Sequence, residues 1–338
     1  MTNVPLARIH GVNDLRLDRI PSPECGVDDV LVQVRECGVC GSDLAYLAIG
    51  GVTGPDTPMP LGHELWGLVS EVGANVATVE VGDRVVVQPM ACGNNIGNGG
   101  PEGGFSPLLR VRNVGARSGG LYRLPASVPD ECGALVEPLS VGLHSVNRVA
   151  ASAQDKAVIF GAGPIGLCIL MMLHQRGLKQ IAVVDLSDKR LSVAESLGGV
   201  PLPVGESLSE ALIELHGNAP FYGMPMPASD LFFEATGVRS VFEQIMAMCG
   251  YGSRVCLTGV HKEAASLDLM MMLAKEVSVI AAQAYEDEFE DVIRMLSAGD
   301  IDPAPMVTHR YSLIEIAEAF QQAKAADQAI KVMVHCDV

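Results

Sequence analysis

A chain of 338 residues is long enough for about two domains, and its 49% hydrophobic content excludes a disordered protein. The formal net charge of −17 repels phosphate backbones and anionic lipid surfaces, so nucleic acid and membranes are poor partners and a small molecule is the expected one. The opening MTNVPLARIHGVND has no long apolar run of the export type, and nine scattered cysteines, an odd number, fit reduced thiols in a cytoplasm better than a disulfide framework.

From the N-terminus to about residue 145, glycines and prolines separate short β-branched runs: Asp29–Arg35 (DVLVQVR), Trp66–Val72 (WGLVSEV) and Asp83–Gln88 (DRVVVQ), with the same style through Gly104 to Arg112. This predicts a mostly β domain. The pattern changes near Pro138, where PLSVGLHSVNRVA has helical spacing. Strands and helices then alternate: AVIF, a helix over Ile165–Arg176, IAVVD, a helix over Lys189–Leu197, LFFEAT, a helix over Val238–Met248, and RVCLTG. Alternation of this kind predicts βαβ units around a doubly wound parallel sheet, so the fold class is α/β. The longest apolar run, Ala157 to Leu173, is broken by Gly161, Gly163, Pro164 and Gly166, which suits a strand, turn and helix rather than a membrane span. Two amphipathic helices, Asp287–Ser297 and Ile314–Ala325, and a last strand, Ile330–His335, complete the reading.

KAVIFGAGPIG, residues 156 to 166, is a dinucleotide fingerprint in its proper context, with an apolar strand before it and an apolar helix after it. A second strand ends in Asp185, at about the twenty-residue distance the motif calls for. Gly161 allows the tight turn, Gly163 lets the backbone approach the pyrophosphate, and Gly166 lets helix and strand pack. Pro164 and Ile165 open the helix whose free N–H groups face the phosphates. Asp185 accepts from the ribose hydroxyls and repels a 2′-phosphate, which favours NAD over NADP. Arg190 is placed to reach the ribose edge, a position from which its charge would also soften the discrimination against NADP.

ECGVCGSD, residues 36 to 43, holds two cysteines three positions apart. A redox pair wants a βαβ setting, and a four-cysteine zinc site wants a second pair; neither is present. Farther on come LGHE (61–64) and ALVEPLSV (134–141). Thiolate, imidazole and carboxylate are the usual ligands of a catalytic zinc that keeps one position open.

In this order, GVCGSD (38–43), GHE (62–64), VGDRV (81–85), EPLSVG (137–142) and GAGPIG (161–166) resemble the zinc-dependent medium-chain alcohol and polyol dehydrogenases. The resemblance spans nearly the whole chain and is nearest to the branch of sorbitol, L-idonate and 2,3-butanediol dehydrogenases. It implies a GroES-like catalytic domain over residues 1–145, rejoined by 284–338, and a Rossmann cofactor domain over 146–283. It implies zinc ligands at Cys40, His63 and Glu64, with Glu137 as a fourth ligand or the holder of a zinc-bound water. One of the two glutamates moves on and off the metal in this family. Asp43 is implied to orient His63 from behind. Ser42 is implied to take the substrate's proton, and Tyr46 and Phe105 fall at pocket positions. Thr236 and Gly259 are expected to touch the cofactor. Of the opening pair, only Cys40 carries chemistry, and Cys37 is a small buried residue. The implied reaction is hydride transfer between NAD(H) and a secondary alcohol or ketone, such as a vicinal diol, polyol or sugar acid, in a homodimer or homotetramer.

Two positions depart from the family. The lobe that often binds a structural zinc through C-x2-C-x2-C-x7-C is here PMACGNNIGNGGPEGG, residues 89 to 104. Cys92 stands at the first ligand position, while Asn95 and Asn98 occupy the next two, and asparagine does not hold zinc as thiolate does. One catalytic zinc per chain, no structural zinc and a mobile glycine-rich loop are therefore expected. Ala45 replaces the histidine that relays protons in many relatives, so the proton must leave by another route. Arg110 and Arg112 are either contacts for a substrate carboxylate or residues of a solvated strand face. The competing functions are a zinc-free NAD(P)H reductase of the quinone-reductase type and a catalytically silent NAD-binding protein on the same fold; the intact ligand set argues against both.

Overall fold

The computed structural model describes residues 3–337 except 55, 118, 203 and 206. The chain opens with an antiparallel pair, β1 (Asn3–Gly11) and β2 (Asp14–Pro21), and continues into β3 (Val30–Gly38). Helix α1 (Gly41–Ile49) follows and is ended by Gly50 in the left-handed conformation, φ 84°. Next come β4 (Met59–Pro60), β5 (Glu64–Val72), β6 (Arg84–Val87), β7 (Leu108–Val111), α2 (Val114–Arg117), β8 (Leu121–Arg123) and α3 (Asp130–Gly133). Helix α4 (Val136–Arg148) leads into an alternating stretch: β9 (Lys156–Phe160), α5 (Pro164–Gln175), β10 (Gln180–Val184), α6 (Asp188–Ser196), β11 (Val200–Leu202), α7 (Leu208–His216), β12 (Leu231–Glu234), α8 (Arg239–Met248), β13 (Arg254–Leu257), α9 (Leu269–Ala274) and β14 (Ser278–Ala281). The chain finishes with α10 (Glu288–Ala298), β15 (Val307–Ser312), α11 (Ile316–Lys324) and β16 (Lys331–His335).

Two compact units result. One comprises Met1–Glu137 with Phe289–Val338, the other Pro138–Glu288. The first crossing falls inside α4 and the second at the start of α10.

In the first unit a seven-stranded sheet runs β15-β16-β3-β5-β6-β8, with β7 also on β3, beside a three-stranded sheet β2-β1-β4. Strand β3 is the axis of this unit. Its Val30, Val32 and Val34 alternate into the core, and β7 and β16 share one of its edges, each pairing with a different half of the strand. Phe105 is fully buried there with its ring edge-on to Phe320 at 5.7 Å, so it is a core residue rather than a pocket wall.

The second unit is a parallel sheet in the order β11-β10-β9-β12-β13-β14. Helices cover it, so the central strands β9, β10 and β12 read as continuous apolar runs and not as alternation. The order turns back between β9 and β12, which opens a crevice at the carboxyl ends of those strands. The expected GroES-like β domain and Rossmann domain are both present.

Helix α1 is an element at the site that the sequence reading lacks. Cys40 is its N-cap, so the glycine-rich stretch that looked like a β-domain turn delivers a helix start under the second cysteine. The asparagine lobe also differs from the expected mobile loop. Ile96 is fully buried, and a Cβ at Gly97 would stand 2.3 Å from the carbonyl oxygen of Gly62. The Asn94 amide donates to the carbonyls of Ala91 and Arg112, each at 3.0 Å, and accepts from Arg112 N–H at 2.9 Å. Close packing and satisfied amides pin the lobe to the sheet. Among the described residues no helix is long and apolar enough to cross a membrane.

Candidate active site

Strand register assembles the candidate metal-binding side chains. Gly38 at the end of β3 pairs with Glu64 at the start of β5, and with Met333 of β16 on its other edge. Residues just after Gly38 therefore meet residues just before β5. Cys40, His63 and Glu64 each turn one donor atom into a cluster in which all three lie within 4.8 Å of one another. It is the one such group of three or more among the described residues. His63 and Glu64 are buried, and Cys40 is half-buried. Gly62 makes the approach possible: at φ 92° it is left-handed, and a Cβ there would sit 2.7 Å from the Phe105 backbone nitrogen.

Asp43 ties both ligand segments together. Its carboxylate accepts the Cys40 N–H at 2.9 Å while the Cys40 side chain receives the Asp43 N–H, a reciprocal helix cap. It also accepts from Gly62 N–H at 3.4 Å and lies 3.5 Å from His63 Nδ1. The other ring nitrogen, Nε2, lies 3.3 Å from Ser42 Oγ. Burial opposes a charge on His63, yet Asp43 and Cys40 outweigh it and hold the ring's proton affinity well above its ordinary value. Surroundings this anionic favour a cation, and the soft and borderline donors fit zinc.

Behind the cluster is a lysine that the sequence reading overlooked. Lys331 is fully buried, forms an ion pair with Glu64, and donates to the Val39 carbonyl at 3.1 Å. Burial disfavours its charge, but Glu64, Cys40 and Glu137 together raise its pKa above the normal lysine value. Glu137 is buried in the first turn of α4; its carboxylate stands outside the three-residue cluster, yet close enough to act on Lys331. Cys37 contributes no chemistry, since burial pushes its thiol well up.

Tyr46 follows Ser42 by one turn of α1 and shares its face. Its hydroxyl donates to Asn98 Oδ1 at 3.4 Å, and the Asn98 amide is fixed by donating to the Ile96 carbonyl at 3.1 Å. Arg110 pairs with Asp29 at 3.1 Å, and Arg112 pairs with Glu102, so both arginines are committed to structural partners.

In the second unit the turn from β9 into α5 is built as the fingerprint requires. Gly161 is at φ 99°, with Thr236 Cγ2 3.0 Å from where a Cβ would stand. A Cβ at Gly166 would lie 1.8 Å from the Gly161 carbonyl oxygen. Gly163 is the helix N-cap, and Pro164 and Ile165 begin α5. Asp185 accepts from Ala162 N–H at 2.7 Å and from Ser187 N–H at 2.8 Å, which fixes its carboxylate at the end of β10. Arg190 Nη1 reaches to 3.6 Å from the Cβ position of Gly163. Thr236 and Gly259 lie in the loops after β12 and β13. Glu234, fully buried at the end of β12, and its partner His261 were not anticipated. The signal for both Lys331 and Glu234 is the same, a charged residue that begins or ends an apolar strand.

Residues 26–131 match the alcohol dehydrogenase GroES-like domain, and residues 164–298 match the zinc-binding dehydrogenase domain. Sorbitol dehydrogenase of Ovis aries is 32% identical over 353 residues, covering 97% of this chain and 95% of that protein. The chain belongs to the zinc-dependent medium-chain alcohol and polyol dehydrogenase family. This dehydrogenase is also 32% identical to sorbitol dehydrogenase of Homo sapiens, over 97% of its own length and 95% of the relative's. Its fold superposes on 2R,3R-butanediol dehydrogenase from Bacillus subtilis with a TM-score of 0.88 at 29% identity, covering 99% of this chain and 100% of that one. Membership makes it an oxidoreductase with zinc and a nicotinamide cofactor, and the zinc-free and silent alternatives are not favoured.

Proposed function

We propose that this dehydrogenase transfers hydride between NAD(H) and a secondary alcohol with neighbouring hydroxyls, a vicinal diol, polyol or sugar acid. The observation that carries the reading is the cluster of Cys40, His63 and Glu64. When bound, zinc supplies a Lewis acid for the hydroxyl and the nicotinamide supplies the hydride acceptor. Cys40, His63 and Glu64 hold the metal, Asp43 orients His63, and Glu137 joins from the first turn of α4. Lys331 restrains Glu64 through their ion pair. Ser42 Oγ, beside His63, takes the substrate's proton. With Ala45 in place of a relay histidine, the proton leaves by a cofactor ribose hydroxyl, by water or by Glu137. Tyr46, held by Asn98, faces the substrate's further hydroxyls.

The phosphate turn Gly161–Gly166 receives the pyrophosphate, and Asp185 receives the adenosine ribose. The fixed negative charge of Asp185 supports NAD over NADP. One zinc per chain is supported by the lobe, where Asn98, at one of the ligand positions, accepts from the Tyr46 hydroxyl and donates to the Ile96 carbonyl. All nine cysteines are free thiols, which supports a cytoplasmic setting. A homodimer or homotetramer is supported by β14, an edge strand with exposed Leu269, Met270 and Leu273 on the preceding α9.

The test is metal content per purified chain by mass spectrometry, with NAD-linked oxidation of a diol panel before and after chelation. One zinc, with activity lost on removal and restored by zinc, is the expected result. Two zincs would overturn the reading of the lobe. No zinc with chelator-insensitive NADH oxidation would overturn the catalytic proposal.

A further inference from the structure

The loops that leave β12 and β13 interlock at the carboxyl edge of the parallel sheet. A Cβ at Gly237 would stand 2.5 Å from the Val260 carbonyl oxygen, and one at Gly259 would stand 2.3 Å from the Gly237 nitrogen. Two glycines thus allow the loops to touch backbone to backbone, and Glu234 fastens them. Its main-chain carbonyl accepts from Thr258 and Gly259, at 3.0 and 2.9 Å. Its carboxylate accepts from the N–H groups of Thr236 at 2.8 Å and Gly237 at 3.1 Å, and from the Thr236 hydroxyl. The remaining partner is a side chain from the opposite loop: His261 Nε2 lies 2.7 Å from Glu234 Oε2. The His261 ring is also edge-on to Phe242 of α8, at 6.1 Å. Thr236, so held, is the residue pressed against Gly161 in the phosphate turn.

We propose that His261 is a positioning residue for the nicotinamide half of the dinucleotide, acting through Glu234 on Thr236 and the loop after β13. The inference rests on the cofactor reading of this crevice. The sheet order supplies the polarity: β9, β10 and β11 carry Asp185 and the adenosine side, whereas β12, β13 and β14 form the other mononucleotide half. The clasp lies wholly in that second half. A fully buried carboxylate that loses its one side-chain partner from the β13 loop leaves the His261 end of that loop held only through the main-chain bonds of Thr258 and Gly259, while the Asp185 side is untouched.

The experiment uses the full chain and measures dissociation constants for NADH by fluorescence and for ADP-ribose by calorimetry, well below the unfolding temperature of each variant. The wild type is expected to bind both. His261→Ala is expected to weaken NADH on the order of tenfold while ADP-ribose is unchanged. His261→Gln, which can still donate to the carboxylate, is expected to recover most of the loss. Unchanged NADH affinity in His261→Ala would overturn the proposal. So would an equal loss for both ligands with a lowered melting temperature, which is the mark of a merely structural role. A wild type that binds neither ligand would overturn the cofactor reading itself and this inference with it.

Discussion

Lys331 and Glu64 form an ion pair that neither residue can leave for solvent, since both are buried. Breaking such a pair from one side strands the other charge. Lys331→Met is therefore expected to destabilise the protein by about 3–5 kcal/mol. Lys331→Met with Glu64→Gln should cost less than the single change, and urea unfolding of the four combinations measures the coupling. Glu36 shows the opposite case, a buried carboxylate with imperfect partners. Arg310 is 3.5 Å away and His335 3.7 Å, while Asp130 and Glu131 repel it. Burial outweighs the arginine and pushes its pKa from 4.5 to about 7. A raised folded-state pKa means that the native state holds the proton more tightly. The stability from this group is then complete below pH 4.5 and falls as pH rises through 7. Glu36→Gln is expected to flatten that slope and to raise stability above neutrality by at most about 3 kcal/mol, read from urea midpoints across pH.

The asparagine lobe between β6 and β7 is packed closely against the β unit. Ile96 fills the core of the β unit, and Gly97 lies on the Gly62 backbone directly before His63. Removing the Ile96 side chain is expected to cost about 2–5 kcal/mol and to leave a cavity beneath the lobe. Because Asn98 fixes the Tyr46 hydroxyl, Ile96→Ala is also expected to raise KM for a diol while zinc content stays constant. Steady-state kinetics beside metal analysis tests this; an unchanged KM would show that the lobe does not set the Tyr46 position. Helix α1 makes the same point about short elements. Its nine residues have little helix-forming strength alone, and the Cys40–Asp43 cap and the Gly50 stop define it.

At the scale of the molecule, the acidic surface and the apolar edge of the Rossmann unit pull in opposite directions. A net charge of −17 keeps copies apart, yet Leu269 and Leu273 are 70% and 79% exposed beside the unpaired edge of β14. For the homodimer or homotetramer proposed above, Leu269→Lys with Leu273→Lys is expected to shift the protein to monomer without lowering its melting temperature. Sedimentation velocity measures the shift, and an unchanged oligomer would place the interface elsewhere. Salt should favour association of the unmodified chain by screening its charge.

The fingerprint glycines, the ligand motifs and the alternation of strands and helices were legible in the residues themselves, because each depends on local geometry. A left-handed turn needs glycine, a fully covered parallel strand needs an unbroken apolar run, and a zinc ligand needs a particular donor atom. Helix α1, the anchored lobe, and the partners of Lys331, Glu234 and His261 were decided only by tertiary structure. Lys331 reaches Glu64 because β16 and β5 flank the same end of β3, though the two residues are remote in sequence. Glu234 and His261 meet because two glycines let their loops touch. A charge within an apolar strand announces a partner, but strand register and loop packing choose which one.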